Sequence, residues 1–285
     1  MSDEQIEITD ANQMRGPAFR GLLKKWWIWV LILGLAAAAG AATAIYWIPV
    51  GGAIAAGAVI ILGIVCVFAY ADHVAEQAFY DYYAKSRGLT RSSTQVGGLT
   101  PLLQKGDRQR VDEMFAGKLN DEFEGSLCLY TYTEVSRDSD GDETTTDYPF
   151  TLAMFNLPQT AAHLPELLVQ RKSGMKALEG LEDKFRGKHE RVTLESEAMR
   201  DRYEIFMQKE QDPIWVRRFF SPSFIVWLTE SPPKKFAFEL VAGTLVCYVP
   251  KQRDNAKDLD EMITLGCAVA KRLADEAAET STREA

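Results

Sequence analysis

The chain has 285 residues, a formal net charge of −8 and four cysteines. An acidic balance argues against nucleic-acid binding, which needs a basic patch. Cys66, Cys128, Cys247 and Cys267 have no CxxC spacing, which excludes a zinc knuckle and gives no disulfide framework. In residues 1–25, Asp3, Glu4, Glu7 and Asp10 cancel Arg15, Arg20, Lys24 and Lys25, so the net charge belongs to residues 72–285.

Trp26 to Ala71 contain no Asp, Glu, Lys, Arg or His. As one helix this stretch would be roughly 69 Å long at about 1.5 Å per residue, whereas a bilayer core about 30 Å thick needs about 20 residues. It is too long for one span and suits two. Ile48, Pro49, Val50, Gly51 and Gly52 are expected to form the turn, because proline lacks a donor and paired glycines favour turns. The spans are placed near 26–48 and 52–71, with residues 1–25 as a cytoplasmic N-terminal segment. A signal peptide is the competing reading. Its apolar region would be shorter and would not be followed at once by a second apolar run, although the alanines at 36–39 and 41–42 resemble a cleavage region.

Arg15, Arg20, Lys24 and Lys25 precede the first span and Lys85, Arg87 and Arg91 follow the second, while the connecting turn has no basic residue. Positive charge is retained on the cytoplasmic side, so both termini are expected there. Trp26, Trp27 and Trp29 at one end and Tyr46 and Trp47 at the other suit the two interfaces. Gly34, Gly40, Gly52, Gly57 and Gly63 are the candidate helix-packing positions, since small residues let helix backbones approach in lipid. Neither span holds a charge on which a proton or ion path would run, which argues against a transporter.

Residues 72–278 are enough for one domain with a sizeable core. The second span is expected to continue as helix to about Arg87, with Gly88 ending it, and residues 88–110 read as a polar loop with a buried piece at Leu99–Leu103. Ser126–Val135 and Asp147–Phe155, rich in β-branched and aromatic residues, read as a long hairpin around an acidic tip. Residues 159–186, with Leu164, Leu167, Leu168, Leu178, Leu181 and Phe185, read as helical or mixed. Strands follow near Val192–Glu195 and Arg202–Met207. Short helices follow from Pro213 to Phe219, capped by Asp212, and from Ser221 and Pro222 to about Thr229. A second hairpin spans Lys235–Leu240 and Thr244–Val249, turned at Ala242 and Gly243. The last helix runs from about Asn255 to Ala278, and residues 279–285 read as a disordered polar tail. The whole is α+β: a transmembrane helical hairpin, then a cytoplasmic domain of antiparallel β-hairpins and packed helices.

Motifs for chemistry are sparse. Asp138, Asp140 and Asp142 around Gly141 lack the glycine and glutamate positions of an EF-hand, and Pro149 stands where its last ligand belongs. His73, His163 and His189 make no HxxxH or HExxH spacing, and no GxxxxGK[ST], GxGxxG or GxSxG occurs. No cofactor, metal or catalytic residue is therefore assigned. Trp215, Arg217, Arg218 and Trp227 form the candidate interaction surface, because aromatic and arginine side chains dominate binding hot spots; packing of an amphipathic helix on a sheet accounts for the same residues.

Five runs, residues 83–89, 99–106, 194–197, 220–228 and 238–243, resemble a group of bacterial membrane proteins most familiar from actinobacteria. These carry two adjacent spans and a cytoplasmic α+β domain of unknown function. The resemblance covers most of residues 72–278 and implies topology and domain; it brings no catalytic residue. The leading expectation is a membrane protein that tethers a non-catalytic binding domain to the inner face of the bilayer, where it binds a protein partner or a small ligand, or self-associates. The alternatives are a membrane-anchored enzyme whose site gathers Glu195, Glu239, Asp212 or His189 without a linear motif, and an accessory subunit of a membrane complex.

Overall fold

Where charge is missing, the chain is helical. The computed structural model describes residues 9–46, 49–94, 97–138, 141–172 and 188–284. These residues form an α+β structure with a nine-stranded antiparallel sheet and seven helices, divided into two compact units.

The first unit, Met1–Ser86 with Asp254–Ala256, holds α1 (Ala11–Leu23), α2 (Trp26–Tyr46) and α3 (Pro49–Ser86). The Asp10 carboxylate accepts the Asn12 N–H at 2.8 Å and caps α1. Helices α2 and α3 are both long and apolar enough to cross a membrane. The expected turn at Ile48–Gly52 is corrected in part. Proline fits the first turn of a helix, so α3 begins at Pro49 and takes Gly51 and Gly52 into its opening turns; Trp47 and Ile48 lie outside the described residues. Beyond its apolar part α3 continues to Ser86, and Gly88 follows with φ 65°. Helix α1 packs on α3 around the end of this apolar part. Phe19 meets Phe68 edge-on at 5.6 Å, Arg15 pairs with Asp72, and Leu22 joins Ile28, Ile32 and Ala71 in one cluster.

The second unit, Arg87–Arg253 with Lys257–Ala285, is built on the sheet. Its strands are β1 (Thr90–Ser92), β2 (Arg108–Lys118), β3 (Glu124–Arg137), β4 (Glu143–Asn156), β5 (Glu166–Arg171), β6 (His189–Val192), β7 (Tyr203–Gln208), β8 (Ala237–Val241) and β9 (Thr244–Pro250), in spatial order β1-β2-β3-β4-β9-β8-β5-β7-β6. Its helices are α4 (Glu197–Arg202), α5 (Pro213–Phe219), α6 (Pro222–Glu230) and α7 (Ala256–Glu284). Both expected hairpins are present. At the second, Ala242 and Gly243 take φ 49° and 81°, the left-handed pair that a two-residue hairpin needs. A Cβ on Gly243 would also lie 2.9 Å from the Leu157 carbonyl oxygen.

Four expectations are corrected. The loop expected over 88–110 gives way at Arg108 to a strand that runs to Lys118, because β3 offers it an antiparallel partner from Arg108↔Thr133 to Lys118↔Glu124. Leu167 and Leu168 lie on β5 between β7 and β8 and are buried on both faces, which erases the alternation that would mark a strand. The strand expected near Val192–Glu195 ends at Val192, and Ser196 instead caps α4. Helix α7 continues to Glu284 where a disordered tail was expected: Thr280 is buried, and its hydroxyl donates to the Glu276 carbonyl at 2.9 Å. Leu178, Leu181 and Phe185 lie outside the described residues.

One face of the sheet carries Leu127, Leu129, Ala153, Phe155, Phe238, Leu240, Leu245 and Cys247, all buried. Helices pack on it. A Cβ on Gly266 of α7 would stand 2.7 Å from the Phe155 ring, so glycine lets α7 sit directly on β4, and Phe219 of α5 meets Phe238 edge-on at 6.2 Å. The opposite face carries Cys128, Tyr130, Tyr132, Phe150, Leu152, Val246 and Tyr248, clustered with Leu102 and Leu103 of a 3₁₀ turn (Leu102–Gln104).

Candidate binding site

The 3₁₀ turn positions the most unusual group of the second unit. Glu239 lies on β8, a strand whose five residues are all buried, and its carboxylate is fully inside. One oxygen accepts the Leu102 backbone N–H at 3.0 Å, the other accepts the Tyr248 hydroxyl at 3.2 Å, and the Gln170 side chain gives a further hydrogen bond. Burial pushes the Glu239 carboxyl up to about 7, against the pull of these three bonds. The same burial, with Glu239 beside it, raises the Tyr248 hydroxyl well above its ordinary value. Leu102 is thus held by its N–H, while the Tyr130 hydroxyl stands 3.4 Å from the carbonyl oxygens of Leu102 and Leu103.

The outer side of this turn borders a cavity of about 430 Å³ lined by Gly98, Leu103, Gln104, Arg110, Val111 and Tyr130, among others. The cavity runs beside the first half of β2. Strand β1 pairs only with Met114–Ala116, so among the described residues no strand pairs with the outer edge of Arg108–Val111. The three-residue β1 is itself held by Arg91, whose guanidinium makes a two-pronged bond to the buried Glu113 carboxylate. The arrangement is that of a groove: a mixed apolar and polar wall, an open strand edge, and a turn tied at its back to a buried carboxyl.

The residues named for a hidden active site are not gathered. Glu239 is enclosed by donors from its own chain. His189 is buried on β6 with its Nε2 against Glu166. The Asp212 carboxylate accepts the Ile214 N–H at 2.9 Å and caps α5, and Glu195 is exposed between β6 and α4. Among the candidate surface residues, Trp215 is corrected to the interior, where it stacks on Phe219 at 6.2 Å. Arg218 pairs with Glu276 at 3.2 Å, Trp227 is half-buried and stacked on Phe224 at 5.3 Å, and Arg217 is exposed. The buried thiols of Cys128 and Cys267 are pushed up to about 12 and about 11, which keeps them protonated and unreactive.

The candidate packing glycines divide into two groups. A Cβ on Gly52 would lie 2.6 Å from the Gly40 carbonyl oxygen, and one on Gly40 would lie 3.1 Å from that of Gly52. A Cβ on Gly63 would lie 3.0 Å from the Ile32 side chain, whereas Gly34 and Gly57 face open space.

Comparison with protein-family models, with curated proteins and with solved structures returned no match. The groove itself was missed in the sequence. Its signal is Glu239, a lone acid inside an otherwise apolar strand, which marks a position where a carboxyl must find donors.

Proposed function

We propose that the chain is an integral protein of the bacterial inner membrane, with both termini cytoplasmic, that tethers a non-catalytic binding domain to the inner face of the bilayer. The observation that carries this reading is the exposure of charge-free helix. Ile54 is 69% exposed and Ile61 66%, on a helix that continues through Val65 and Phe68 with the same outward apolar side chains. A soluble core helix buries such residues, and a surface helix in water keeps them to one stripe; lipid is the solvent that suits them. The groove beside Val111 and the open edge of β2 supply the binding surface. An extended segment of a partner can hydrogen-bond to such an edge and place alternate side chains in the groove. Tethering raises the effective concentration of a partner held in the same membrane.

The test is crosslinking in living cells followed by purification of the full chain in mild detergent. A stoichiometric partner, lost in the variant Val111→Lys with the protein still in the membrane fraction, is expected. Recovery of the chain from the soluble fraction overturns the membrane reading, and a partner retained by Val111→Lys overturns the role of the groove.

The enzyme reading would have to use Glu239, whose carboxyl burial pushes up to about 7 but whose two oxygens are taken by the Leu102 N–H and the Tyr248 hydroxyl. Turnover of a substrate that Glu239→Gln abolishes, with folding intact, would establish it.

A further inference from the structure

The search for a second site leads to the junction of α1 and α2. Helix α1 has a fixed rotation, because Ala18, Phe19 and Leu22 pack toward α3 in a cluster with Ile60, Val67 and Ala71, and Arg15 pairs with Asp72. Its opposite face presents Gly16, Arg20 and Lys24, spaced four apart and all exposed, with Lys25 beside them. Among the described residues, nothing lies within 4 Å of where a Cβ on Gly16 would stand. The junction itself is braced: the Trp29 indole donates to the Leu23 carbonyl at 2.9 Å, and the Lys25 N–H donates to that of Leu22 at 2.9 Å. Trp26, 74% exposed, and Trp27, 51% exposed, follow immediately.

Residues 11–46 contain no acid, and the nearest carboxylate on α3, Asp72, is taken by Arg15. Among the described residues, Arg20, Lys24 and Lys25 have no ion-pair partner. Three cations are therefore held together at the point where the chain changes from polar to apolar, beside two indoles of the kind that settle at the headgroup level.

We infer that this junction is a binding site for the phosphate of an anionic phospholipid, gripped by Arg20, Lys24 and Lys25 with Trp26 and Trp27 against its glycerol and upper acyl chain. The site rests on the membrane reading above. An anionic headgroup fits better than a zwitterionic one because the latter brings its own cation to a cluster with no anion among the described residues to receive it. Free inorganic phosphate shares the same chemistry without the acyl chains.

The experiment uses the full chain in bilayers of phosphatidylcholine and phosphatidylglycerol in equal amounts, with bromine on the acyl chains of one lipid or the other, and reads tryptophan quenching. Quenching by brominated phosphatidylglycerol should exceed that by brominated phosphatidylcholine by at least about threefold, given the size of the interaction of each base with an anionic surface. The triple variant Arg20→Gln, Lys24→Gln, Lys25→Gln should abolish the preference, and the variant Lys24→Arg, Lys25→Arg should retain it. Equal quenching by both lipids in the unaltered chain overturns the site and leaves the membrane reading standing. Absence of quenching by either lipid overturns both. A preference erased by added inorganic phosphate, but not by chloride at matched ionic strength, overturns the lipid as occupant in favour of the free anion.

Discussion

The two compact units treat apolar side chains in opposite ways. In the charge-free part of the first, the small interior is made by glycine, alanine and a few isoleucines, and most large side chains of α2 and of α3 up to Phe68 point outward; only further along α3 do Phe79, Tyr80 and Tyr83 become buried. In the second, the large side chains are the interior: Phe238, Leu240 and Leu245 have no exposed surface. On the membrane reading proposed above, the same residue types serve two solvents: removal from water drives the second unit, while close approach of backbones holds the first, where an outward isoleucine contributes to insertion and little to packing.

The sharpest way to break this comparison is to truncate one large apolar residue in each unit. Phe238→Ala should cost about 3–5 kcal/mol through lost transfer energy and a residual cavity. Ile61→Ala should leave the fold unchanged in detergent. Thiol labelling during denaturation reads both effects, since Cys128, Cys247 and Cys267 are buried and Cys66 is exposed. Equal losses from the two substitutions would show that α3 has a buried outer face. A second contrast lies inside the first unit. Gly52→Ile drives a side chain into the Gly40 carbonyl and Ala44, and overpacking of this kind costs about 1–3 kcal/mol. Gly57→Ile meets open space and should cost nothing within the hairpin. Disulfide formation between Ile32→Cys and Gly63→Cys, in a Cys66→Ser background, should slow markedly in the first variant and not in the second. If Gly57→Ile instead removes a co-purifying partner, that face is an intermolecular contact.

Glu239 sharpens the comparison on the side of the buried unit. Its carboxyl sits at about 7 when folded, above its ordinary value of 4.5. Between these two values the unfolded chain has released the proton and the folded chain retains it. The stabilising contribution is therefore complete below about pH 4.5 and is lost as pH rises through about 7, with a span on the order of 3 kcal/mol. Denaturation midpoints of the full chain should fall across that window. In Glu239→Gln this part of the slope should vanish, at a fixed cost of about 1–3 kcal/mol for replacing an acceptor with an amide among donors. A slope that survives the substitution assigns it to other groups.

Composition made α2 and α3 legible, since on the membrane reading a long stretch without charge satisfies its backbone as helix; α1, which carries Arg15 and Arg20, reads from sequence only as part of an N-terminal segment. The hairpins around residues 138–142 and 242–243 were legible for a different reason, since alternation and turn residues are local signals. Strands β2 and β5 were not. β2 opens with Arg108 and Arg110, which read as the end of a polar loop, and continues through Asp112 and Glu113, whose charges give no strand signal until a partner strand is known; β5 is buried on both faces, so its leucines have no period to show. Trp215 illustrates the limit for sites. A tryptophan next to two arginines reads equally as a hot spot or as a core residue, and only the Phe219 stack decides. The groove depends on contacts between Leu102, Glu239 and Tyr248, which lie far apart in the chain, and no local pattern encodes them.

The smallest expected effect lies at the far end of the β3–β4 hairpin. Arg137 and Glu143 stand directly opposite each other in register and form an ion pair across the strands, and the Arg137 side chain is 72% exposed. The pair has every geometric advantage of cross-strand placement, yet water and salt screen it, and two long side chains lose freedom to make it. Arg137→Ala should therefore shift stability by no more than about 1 kcal/mol, and the shift should shrink at high salt. Denaturation midpoints of the full chain at low and high ionic strength measure it. A larger, salt-insensitive loss would mean that the tip is covered in the native protein, which would move it from the solvated surface to the buried side of the comparison and make the hairpin end a contact in its own right.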